Sequence, residues 1–333
     1  MERWQFHRHS PHSNLAGEAQ LQHSLGFPAH FAISVLSTGP SEFPMLNGPE
    51  TVKAILGIIW DPDVEYSTTR IERTSFVPAE YSSIVCEIRE CVARITLNQP
   101  PLNIIDIPMI GEMHSALARV HAAGDLKVLV IDHQGKAFSA GVSIKDHTPD
   151  KVGEMIEKFH GMFRLLNSLA VPSLALVDGM ALGGGCELAV FCDMIIASDR
   201  ATFGQPEIKV GVFPPVAAVL FPHLVGRNRA LELLLTGDII DAAEAKTIGL
   251  INKVIRAQSF RKKTDEFISK LTSLSGPVLR LTKRAVDRGL FTSVNDGIKT
   301  VEELYLGELM QTADAHEGLN AFLEKRKPIW KNK

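Results

Sequence analysis

Residues 182–193 read LGGGCELAVFCD, in which three consecutive glycines are followed by a glutamate at the head of an apolar run. An ionised carboxylate is costly to bury without a partner, so such a group usually has a partner, a raised pKa or a function. The alternative is a solvent-facing glutamate that interacts favourably with the dipole of the helix it begins. Other parts of the sequence are needed to distinguish a buried, functional Glu187 from a solvent-facing one.

The composition indicates a globular protein. The 333 residues are 45% hydrophobic and 22% charged, and the formal net charge of −3 gives no sign of the broad basic surface of a nucleic-acid-binding protein. No apolar stretch approaches the ~20 residues of a membrane-spanning helix, and no secretory signal is recognisable. The four cysteines have neither metal-type spacing nor disulfide-framework density. We therefore expect a cytoplasmic protein with reduced thiols, no metal and no membrane partner.

The first 80 residues differ from the remainder. They contain five histidines and scattered proline and glycine without a sustained hydrophobic period, and the histidine spacings match no metal-ligand pattern. We predict three parts: an N-terminal extension of uncertain order over residues 1–80, an α/β core over 81–270, and a helical C-terminal region over 271–333.

From residue 81 the hydrophobic pattern becomes regular. Alternating apolar residues over 84–88 and 93–97 predict a pair of strands. Short apolar runs at 127–132, 172–178 and 194–198 are typical of buried parallel strands.

Helices are predicted between and after these strands. Apolar residues recur at helical spacing over 110–120, and Thr148 followed by Pro149 is a helix-start signal. Beyond Arg227 the pattern is almost wholly helical. Strands that alternate with helices, followed by a helical tail, indicate an α/β core with a helical C-terminal part.

Two glycine-containing loops follow predicted buried strands: KAFSAGVSIK at 136–145 and GMALGGGCE at 179–187. Glycines let backbone N–H groups approach a ligand closely, so two such loops could direct two amides at one oxygen as an oxyanion hole. Neither loop has a nucleotide-binding pattern, and a G-x-S-x-G nucleophile motif is absent. The pattern alone leaves an oxyanion hole and purely structural turns both open.

A second candidate carboxylate is Glu207, in the stretch FGQPEIKV at 203–210. Pro206 restricts the chain beside it, and alternating apolar residues after it predict an extended, partly buried segment: Ile208, Val210 and Val212. Two carboxylates near an oxyanion hole suit a reaction in which one activates water and the other transfers a proton. The alternative is a turn glutamate in water, and the sequence does not show whether Glu187 and Glu207 meet.

The motifs LGGGCELAVFCD, KAFSAGVSIK and FGQPEIKVGV together resemble the crotonase, or enoyl-CoA hydratase/isomerase, superfamily over about residues 81–333. The stretches at 235–255 and 318–330 extend the resemblance. It implies an α/β spiral of ββα units with a helical C-terminal trimerisation region, assembled as a trimer or a dimer of trimers. It also implies an acyl-CoA thioester substrate, with coenzyme A as part of that substrate and no separate cofactor.

The resemblance assigns roles to individual residues. The amides of Val142 and Gly184 would hold the thioester carbonyl as an oxyanion hole. Glu187 would orient and activate water, while Glu207 would exchange a proton with the acyl chain. Superfamily members that isomerise, dehalogenate or hydrolyse thioesters often lack one or both glutamates, so the presence of both favours hydration.

The anionic coenzyme A needs a basic patch, and the densest one is Lys325-Arg326-Lys327. In similar proteins a phenylalanine and a following lysine of this tail reach the nucleotide end of coenzyme A, often across a subunit boundary. Those positions are Phe322 and Lys325. Without the resemblance, a basic tail is usually a solvated chain end.

Two departures from the family pattern concern the acyl group. The usual AGAD becomes AGVS at 140–143, and a glycine-rich wall is replaced by the bulky FPPVAAVLFPHLV at 213–225. We expect Ala140, Phe213 and Pro214 to contact the acyl group.

A rigid apolar stretch such as 213–225 would fit a flat, cyclic acyl group better than a small straight one. Together with PLNIIDIPMI at 101–110 and SAGVSIKDHTPDKV at 139–152, this stretch resembles the cyclic dienoyl-CoA hydratases of anaerobic aromatic degradation. That resemblance implies hydration of cyclohexa-1,5-diene-1-carbonyl-CoA to 6-hydroxycyclohex-1-ene-1-carbonyl-CoA. The alternatives are a generic short-chain enoyl-CoA hydratase or isomerase, a non-catalytic acyl-CoA-binding subunit, and a hydrolase that uses Ser139 or Ser143 with His147.

Overall fold

The computed structural model describes residues 81–290 and 292–333, which belong to one compact unit. The predicted extension over residues 1–80 lies outside the described residues. The boundary predicted after residue 270 falls within the helix Phe260–Thr272, so the core and the C-terminal region share this helix.

A six-stranded sheet forms the base of the structure, in the order β1-β2-β3-β5-β7-β10. Its strands are β1 (Ile84–Arg89), β2 (Val92–Leu97), β3 (Val128–His133), β5 (Ser173–Val177), β7 (Met194–Ser198) and β10 (Lys253–Ile255). β1 and β2 are the predicted antiparallel pair, and Glu90 and Cys91 between them both have positive φ, as a two-residue hairpin requires. The other neighbours are parallel, as the apolar runs predicted.

A second sheet contains four short strands in the order β4-β6-β8-β9. They are β4 (Ala137–Ser139), β6 (Met180–Leu182), β8 (Thr202–Gly204) and β9 (Ile239–Asp241). The order of β4, β6 and β8 repeats that of β3, β5 and β7, because each short strand directly follows a long one in the chain. The chain therefore winds as a spiral of long strand, short strand and helix, as the resemblance predicted.

Ten α-helices occur in the described part of the chain. They are α1 (Ile107–Ala122), α2 (Val152–Ser168), α3 (Gly184–Phe191), α4 (Pro215–Val225), α5 (Arg227–Thr236), α6 (Ala242–Thr247), α7 (Phe260–Thr272), α8 (Gly276–Leu290), α9 (Val294–Gly307) and α10 (Ala313–Leu323). The concentration of helices after β9 confirms the predicted helical C-terminal part.

The start of α2 was predicted wrongly. Thr148 and Pro149 were expected to be the cap and first residue, but the helix begins at Val152 with Lys151 in the capping position. The carbonyl of Thr148 accepts hydrogen bonds from the N–H groups of Lys151 and Val152, both at 2.9 Å. These bonds close a separate turn ahead of the helix, which delays its start by one turn.

Both faces of the main sheet are covered. Leu129 and Ile131 of β3 point into the main core, while Val128 and Val130 belong to a smaller cluster that includes Phe260 of α7. Because successive strand residues point to opposite faces, a strand covered on both sides is apolar throughout. This explains why the part of the predicted strand at 128–131 is apolar without interruption.

Cys186 and Cys192 are free, fully buried thiols. Burial raises the pKa of the Cys192 thiol to about 12, so it remains protonated at neutral pH.

No helix of the described residues is long and apolar enough to cross a membrane. In the same two segments of the chain, no three His, Cys, Asp or Glu side chains are grouped to hold a metal ion.

Asp314 fixes the C-terminal tail to the helices. Its carboxylate is fully buried and accepts hydrogen bonds from the hydroxyl of Ser275 at 2.6 Å and from the N–H of Lys331 at 2.7 Å. The N–H of Asn332 donates to the same carboxylate at 3.1 Å. The side chain therefore connects the start of α8, the start of α10 and the last residues of the chain.

We expect Asp314→Ala to lower the free energy of unfolding by about 3 kcal/mol, because it leaves buried donors without an acceptor. Urea denaturation measures this loss. The exposed Asp265, on α7, provides the control: Asp265→Ala should change stability by less than about 0.5 kcal/mol. Equal stability of the two variants would contradict the role of Asp314.

Candidate active site

Glu187 lies in the first turn of α3, directly after the second glycine loop. Gly183, which precedes this helix, has φ of 52°, in the left-handed region that favours glycine. A Cβ at this position would lie 2.5 Å from Oε1 of Glu207. The glycine therefore allows the turn into α3 and the close approach of Glu207, which brings both predicted carboxylates to one place.

The carboxylate of Glu187 is buried, with only 2% of the residue exposed. Its Oε1 accepts hydrogen bonds from the N–H groups of Val216 at 2.8 Å and Ala217 at 2.9 Å. Both amides belong to the first turn of α4, where N–H groups have no partner within their own helix. Pro215, the first residue of α4, has no N–H. The partner of the buried carboxylate is thus the N-terminus of a second helix.

The pKa of Glu187 is raised to about 7: burial is the largest cause, the nearby carboxylate of Glu207 also raises it, and the two amide donors oppose these effects. The effect of Glu207 shows that the two carboxyl groups lie within electrostatic range. A carboxyl group with a pKa near neutrality can both accept and release a proton under physiological conditions.

The segment that carries Glu207 was predicted to be extended, and this was wrong. β8 ends at Gly204, and Pro206–Val210 form a 3-10 helix. The apolar side chains that were expected to be partly buried are largely exposed: Ile208 at 40%, Val210 at 64% and Val212 at 42%. The apparent alternation arose because apolar residues of a surface turn happened to occupy every second position.

Glu207 is half-buried, and burial raises the pKa of its carboxyl, whereas a hydrogen bond from its own backbone and, to a lesser extent, the charge of His147 lower it. Gln205 is fully buried beside it. With its amide oriented to satisfy its neighbours, the Gln205 nitrogen donates to Oε2 of Glu207 at 3.2 Å and to the carbonyl of Gly183 at 3.3 Å. Gln205 therefore links Glu207 to the glycine turn ahead of Glu187.

The two glycine loops lie against each other. Gly141 has φ of 111°, and a Cβ there would lie 3.2 Å from the carbonyl of Leu182 and 3.9 Å from the amide nitrogen of Gly184. A Cβ on Gly184 would lie 2.4 Å from Cγ2 of Val142. The residues predicted to form the oxyanion hole are therefore neighbours in space.

The first loop is held by Ile105, whose N–H donates to the carbonyl of Gly141 at 3.0 Å and whose carbonyl accepts from Ser143 at 2.8 Å. These two bonds involve the carbonyl of Gly141 and the N–H of Ser143, and they leave the N–H of Val142 between them unused. Among residues 81–290 and 292–333, the N–H groups of Val142 and Gly184 have no hydrogen-bond acceptor. Both amides are available to an added oxygen.

The residues predicted to contact the acyl group lie around these elements. Ala140 is half-buried, immediately ahead of Gly141, and its N–H donates to the carbonyl of Leu102 at 2.9 Å. Phe213 is 69% exposed, and Pro214 is buried at the start of α4. The bulky stretch at 213–225 thus becomes the helix that holds Glu187, preceded by an exposed aromatic ring.

Phe322 and Lys325 lie at the end of α10, and both are exposed, Phe322 at 81%. No contact within the described residues joins either side chain to Glu187 or Glu207. Arg326, between the two lysines of the basic run, is paired with Glu317 at 2.6 Å. Because Arg326 is already paired, the basic run at 325–327 offers less positive charge to the phosphates of coenzyme A than the sequence suggests.

The serine hydrolase alternative finds no support in the geometry. Ser139 is fully buried, and its hydroxyl accepts a hydrogen bond from the N–H of Gly141 at 3.1 Å. The Nδ1 of His147 lies 2.9 Å from the backbone carbonyl of Ser143 rather than from its hydroxyl. In the described part of the chain, no serine hydroxyl is paired with His147.

Sequence reasoning missed three features of the site: the amides of Val216 and Ala217, the link through Gln205, and the electrostatic effect of His147 on Glu207. The first left a readable signal, because the pair Pro214-Pro215 places proline at the first position of a helix. The other two depend on contacts between distant parts of the chain and left none.

Comparisons with known proteins identify a family. The model of the family "Enoyl-CoA hydratase/isomerase" matches residues 87–333. The chain is 40% identical over 243 residues to a cyclohexa-1,5-dienecarbonyl-CoA hydratase of Thauera aromatica, covering 72% of this chain and 93% of that protein. It is 35% identical over 253 residues to a crotonyl-CoA hydratase of Syntrophomonas wolfei, covering 74% and 97% respectively.

Among solved structures, an enoyl-CoA hydratase from Bacillus anthracis superposes with a TM-score of 0.72 at 30% identity, covering 76% of this chain and all of that one. The part of the chain that matches all these proteins is the part that contains both glycine loops and both glutamates.

Proposed function

This chain belongs to the enoyl-CoA hydratase/isomerase family, and from that premise we propose that it is a hydro-lyase that adds water to a conjugated enoyl-CoA thioester at Glu187 and Glu207. The observation that carries the proposal is the convergence of these two carboxyl groups, each with a raised pKa, beside two amides without acceptors. That combination supplies a base, an acid and an oxyanion hole.

The proposed mechanism follows from these groups. The amides of Val142 and Gly184 hold the thioester oxygen as it gains negative charge. Glu187, fixed through Oε1 to α4, uses Oε2 to orient a water molecule and accept its proton, while the water oxygen bonds to the β-carbon. The resulting enolate takes a proton from Glu207. Return of a proton from Glu187 to Glu207 restores both carboxyl groups, so that the net change is the addition of one water molecule.

We further propose that the acyl group is a cyclic diene. In such a ring, the hydroxyl joins the β-carbon, the remaining double bond shifts, and the proton is added at the far end of the diene. This converts cyclohexa-1,5-diene-1-carbonyl-CoA to 6-hydroxycyclohex-1-ene-1-carbonyl-CoA, a step of anaerobic aromatic degradation. Support comes from the 40% identity to the Thauera aromatica hydratase and from the proline-stiffened, apolar start of α4 beside Glu187.

The second candidate is a short-chain enoyl-CoA hydratase, favoured by the 35% identity to the crotonyl-CoA hydratase of Syntrophomonas wolfei. Comparing kcat/KM for crotonyl-CoA and for the cyclic dienoyl-CoA decides between them. We expect the cyclic substrate to be turned over with the higher kcat/KM. A higher value for crotonyl-CoA would overturn the cyclic substrate, and binding without turnover of either would indicate an acyl-CoA-binding subunit.

We also propose that the protein is a homo-oligomer, a trimer or a dimer of trimers, and that it is located in the cytoplasm. Apolar side chains near the C-terminus remain exposed in the single chain, notably Phe322 at 81%, Leu323 at 77% and Ile329 at 74%. Exposed apolar side chains clustered in this way are typical of surfaces that associate. Light scattering on the purified protein should give the mass of a trimer or a hexamer.

Coenzyme A recognition by the tail gives a separate prediction. Lys325→Glu should raise KM for an acyl-CoA about 10-fold with little change in kcat, because an exposed lysine contributes to phosphate binding but not to the chemical step. Steady-state kinetics measure both constants. Lys262→Glu, the same charge change at an exposed position of α7, should leave KM unchanged. If both variants keep the wild-type KM, Lys325 does not bind coenzyme A.

A further inference from the structure

Gln205 lies between the second glycine loop and the segment that carries Glu207. It follows directly after β8, which ends at Gly204, and it precedes the 3-10 helix Pro206–Val210. The residue is fully buried. A carboxamide is costly to bury unless its donors and acceptors have partners, so the contacts of this side chain have to account for its position.

The side-chain nitrogen of Gln205 has two acceptors, and both belong to the candidate active site. It donates to Oε2 of Glu207 at 3.2 Å and to the carbonyl of Gly183 at 3.3 Å. Because a carboxamide nitrogen has two N–H groups at a fixed angle, these bonds use both of its donors. The opposite orientation of the amide would direct its oxygen at two acceptors, which is unfavourable.

The bond to Gly183 acts on the proposed oxyanion hole, because the carbonyl of Gly183 and the N–H of Gly184 belong to one peptide group. A trans peptide is planar, so its C=O and N–H point in opposite directions and turn together. A restraint on the carbonyl of Gly183 therefore also fixes the direction of the Gly184 amide. A hydrogen bond to the carbonyl polarises the peptide group as well, which makes its N–H a better donor.

The Gly183–Gly184 peptide lies in a part of the chain that needs such a restraint. Residues 183–185 are three consecutive glycines, which have no Cβ to limit the backbone angles. The carbonyl of Gly183 also accepts the N–H of Glu187 at 2.9 Å, at the start of α3. Gln205 adds a donor from outside this helix, so the peptide group is held by two different elements.

We propose that Gln205 is a positioning residue that joins the two halves of the site. Its nitrogen holds both the Gly183–Gly184 peptide, which supplies an oxyanion donor, and the carboxyl of Glu207, which supplies the proton. This inference rests on the proposed hydration. One planar group then sets the distance between the donor to the thioester oxygen and the acid that protonates the acyl chain. In this role Gln205 makes no bond to the substrate.

Gln205→Met tests the proposal, because methionine has a similar length and volume but no donor. We expect kcat to fall at least about 10-fold with KM changed less than about 3-fold, since the reacting groups are misaligned while binding of the substrate is retained. Thr264→Val is the control for loss of a buried polar group, because the Thr264 hydroxyl donates to carbonyls of its own helix, α7, at 2.9 and 3.0 Å. It should keep the wild-type kcat.

The carbonyl stretch of a bound thioester measures polarisation by the oxyanion hole directly. Butanoyl-CoA with a carbon-13 label at the thioester carbonyl is the probe, because its saturated acyl group cannot be hydrated. On the wild-type protein we expect the infrared band to move to lower frequency, since two donors polarise the C=O bond. Gln205→Met should lose at least about half of that shift. Glu207→Gln leaves the bond to Gly183 in place and should retain the shift.

A merely structural role gives a different pattern. Gln205→Met would then lower the free energy of unfolding, but either a wild-type kcat or an undiminished band shift would overturn the proposal. Gln205→Glu is a second variant of the same shape, because a carboxyl group has at most one O–H and cannot donate to both acceptors. It should show the same two losses, and wild-type behaviour would contradict the role of Gln205.

Neutron diffraction from wild-type crystals tests the orientation of the amide without any variant. The two deuterons on the Gln205 nitrogen should point to Oε2 of Glu207 and to the carbonyl of Gly183, and an oxygen in their place would overturn the proposal. Failure of the proposed hydration is recognised separately, as a wild-type protein that binds butanoyl-CoA with the band shift but hydrates no enoyl-CoA. The effect of Gln205→Met on the band shift would still be measurable in that case.

Discussion

The Glu187→Gln variant is expected to lose at least ~10²-fold in kcat and, at alkaline pH, to be more stable than the wild-type protein. The loss of activity follows because an amide cannot accept the proton of the attacking water. Glutamine has the same shape, and its oxygen can still accept hydrogen bonds from Val216 and Ala217, so the fold should be retained. Steady-state kinetics with the enoyl-CoA substrate measure the first effect.

The stability gain has a definite sign. The pKa of Glu187 is about 7 in the folded protein and 4.5 as its ordinary value, so the fold favours the protonated form. Wild-type stability therefore falls as pH rises from 4.5 through 7. Glutamine does not titrate, so its advantage should grow from about 1 kcal/mol at pH 5 to about 3 kcal/mol at pH 8. Urea denaturation at both pH values measures this difference.

Glu112 supplies a control of opposite sign. Partial burial would raise the pKa of Glu112, but hydrogen bonds from the hydroxyls and N–H groups of Ser82 and Ser83 outweigh it and lower the pKa to about 2. This carboxylate stabilises the fold above pH 4.5, and that contribution is lost as pH falls towards 2. Glu112→Gln should thus be less stable than the wild type at pH 8 and fully active. If Glu187→Gln is also less stable than the wild type at pH 8, then ionised Glu187 does not destabilise the fold, and the raised pKa assigned to it is wrong.

The Gly184→Ala variant should reduce kcat/KM by ~10² to 10³-fold, equivalent to about 3–4 kcal/mol, the usual cost of losing one oxyanion donor. Gly184 is the first residue of α3, where the backbone conformation permits a side chain. The strain comes from contacts instead, since the added Cβ would lie 2.4 Å from Cγ2 of Val142 and 2.9 Å from Cζ of Phe159. Relief of these contacts must move one of the two amides.

A second substitution tests whether displacement of the amides is the cause. Val142→Ala removes Cγ2 and keeps the N–H, so the double variant should regain at least about 10-fold of the activity lost by Gly184→Ala. Gly153→Ala is the matched control, because no atom lies within 4 Å of the position its Cβ would take in α2. If Gly184→Ala matches Gly153→Ala in kcat/KM, the Gly184 amide does not hold the thioester oxygen.

Local patterns were enough for most of the framework. The hairpin of β1 and β2, the parallel strands β3, β5 and β7, and the spacing of α1 follow from hydrophobic periods of two or 3.6 residues. The predictions were wrong where a local turn or a short 3-10 helix formed in place of the expected helix start or extended segment. The turn closed on the carbonyl of Thr148 delayed α2, and the 3-10 helix after Pro206 replaced an expected extended segment.

The candidate site divides in the same way. The glycine loops and both glutamates could be identified in the sequence, because their residue types and spacing form a specific pattern. The pairing of Glu187 with the start of α4, 29 residues further along the chain, could not. Nor could the contact of Gln205 with Glu207 and Gly183, since contacts between separate loops leave no period and no local motif.

The sequence by itself determined the family, the alternation of strands and helices, and the side chains able to perform acid–base chemistry, because these depend on residue type and near neighbours in the chain. Only the tertiary structure decided the protonation behaviour of those side chains. Burial, the amides of a distant helix and the charges of Glu207 and His147 set the pKa values, and these effects act through space between segments that the spiral brings together.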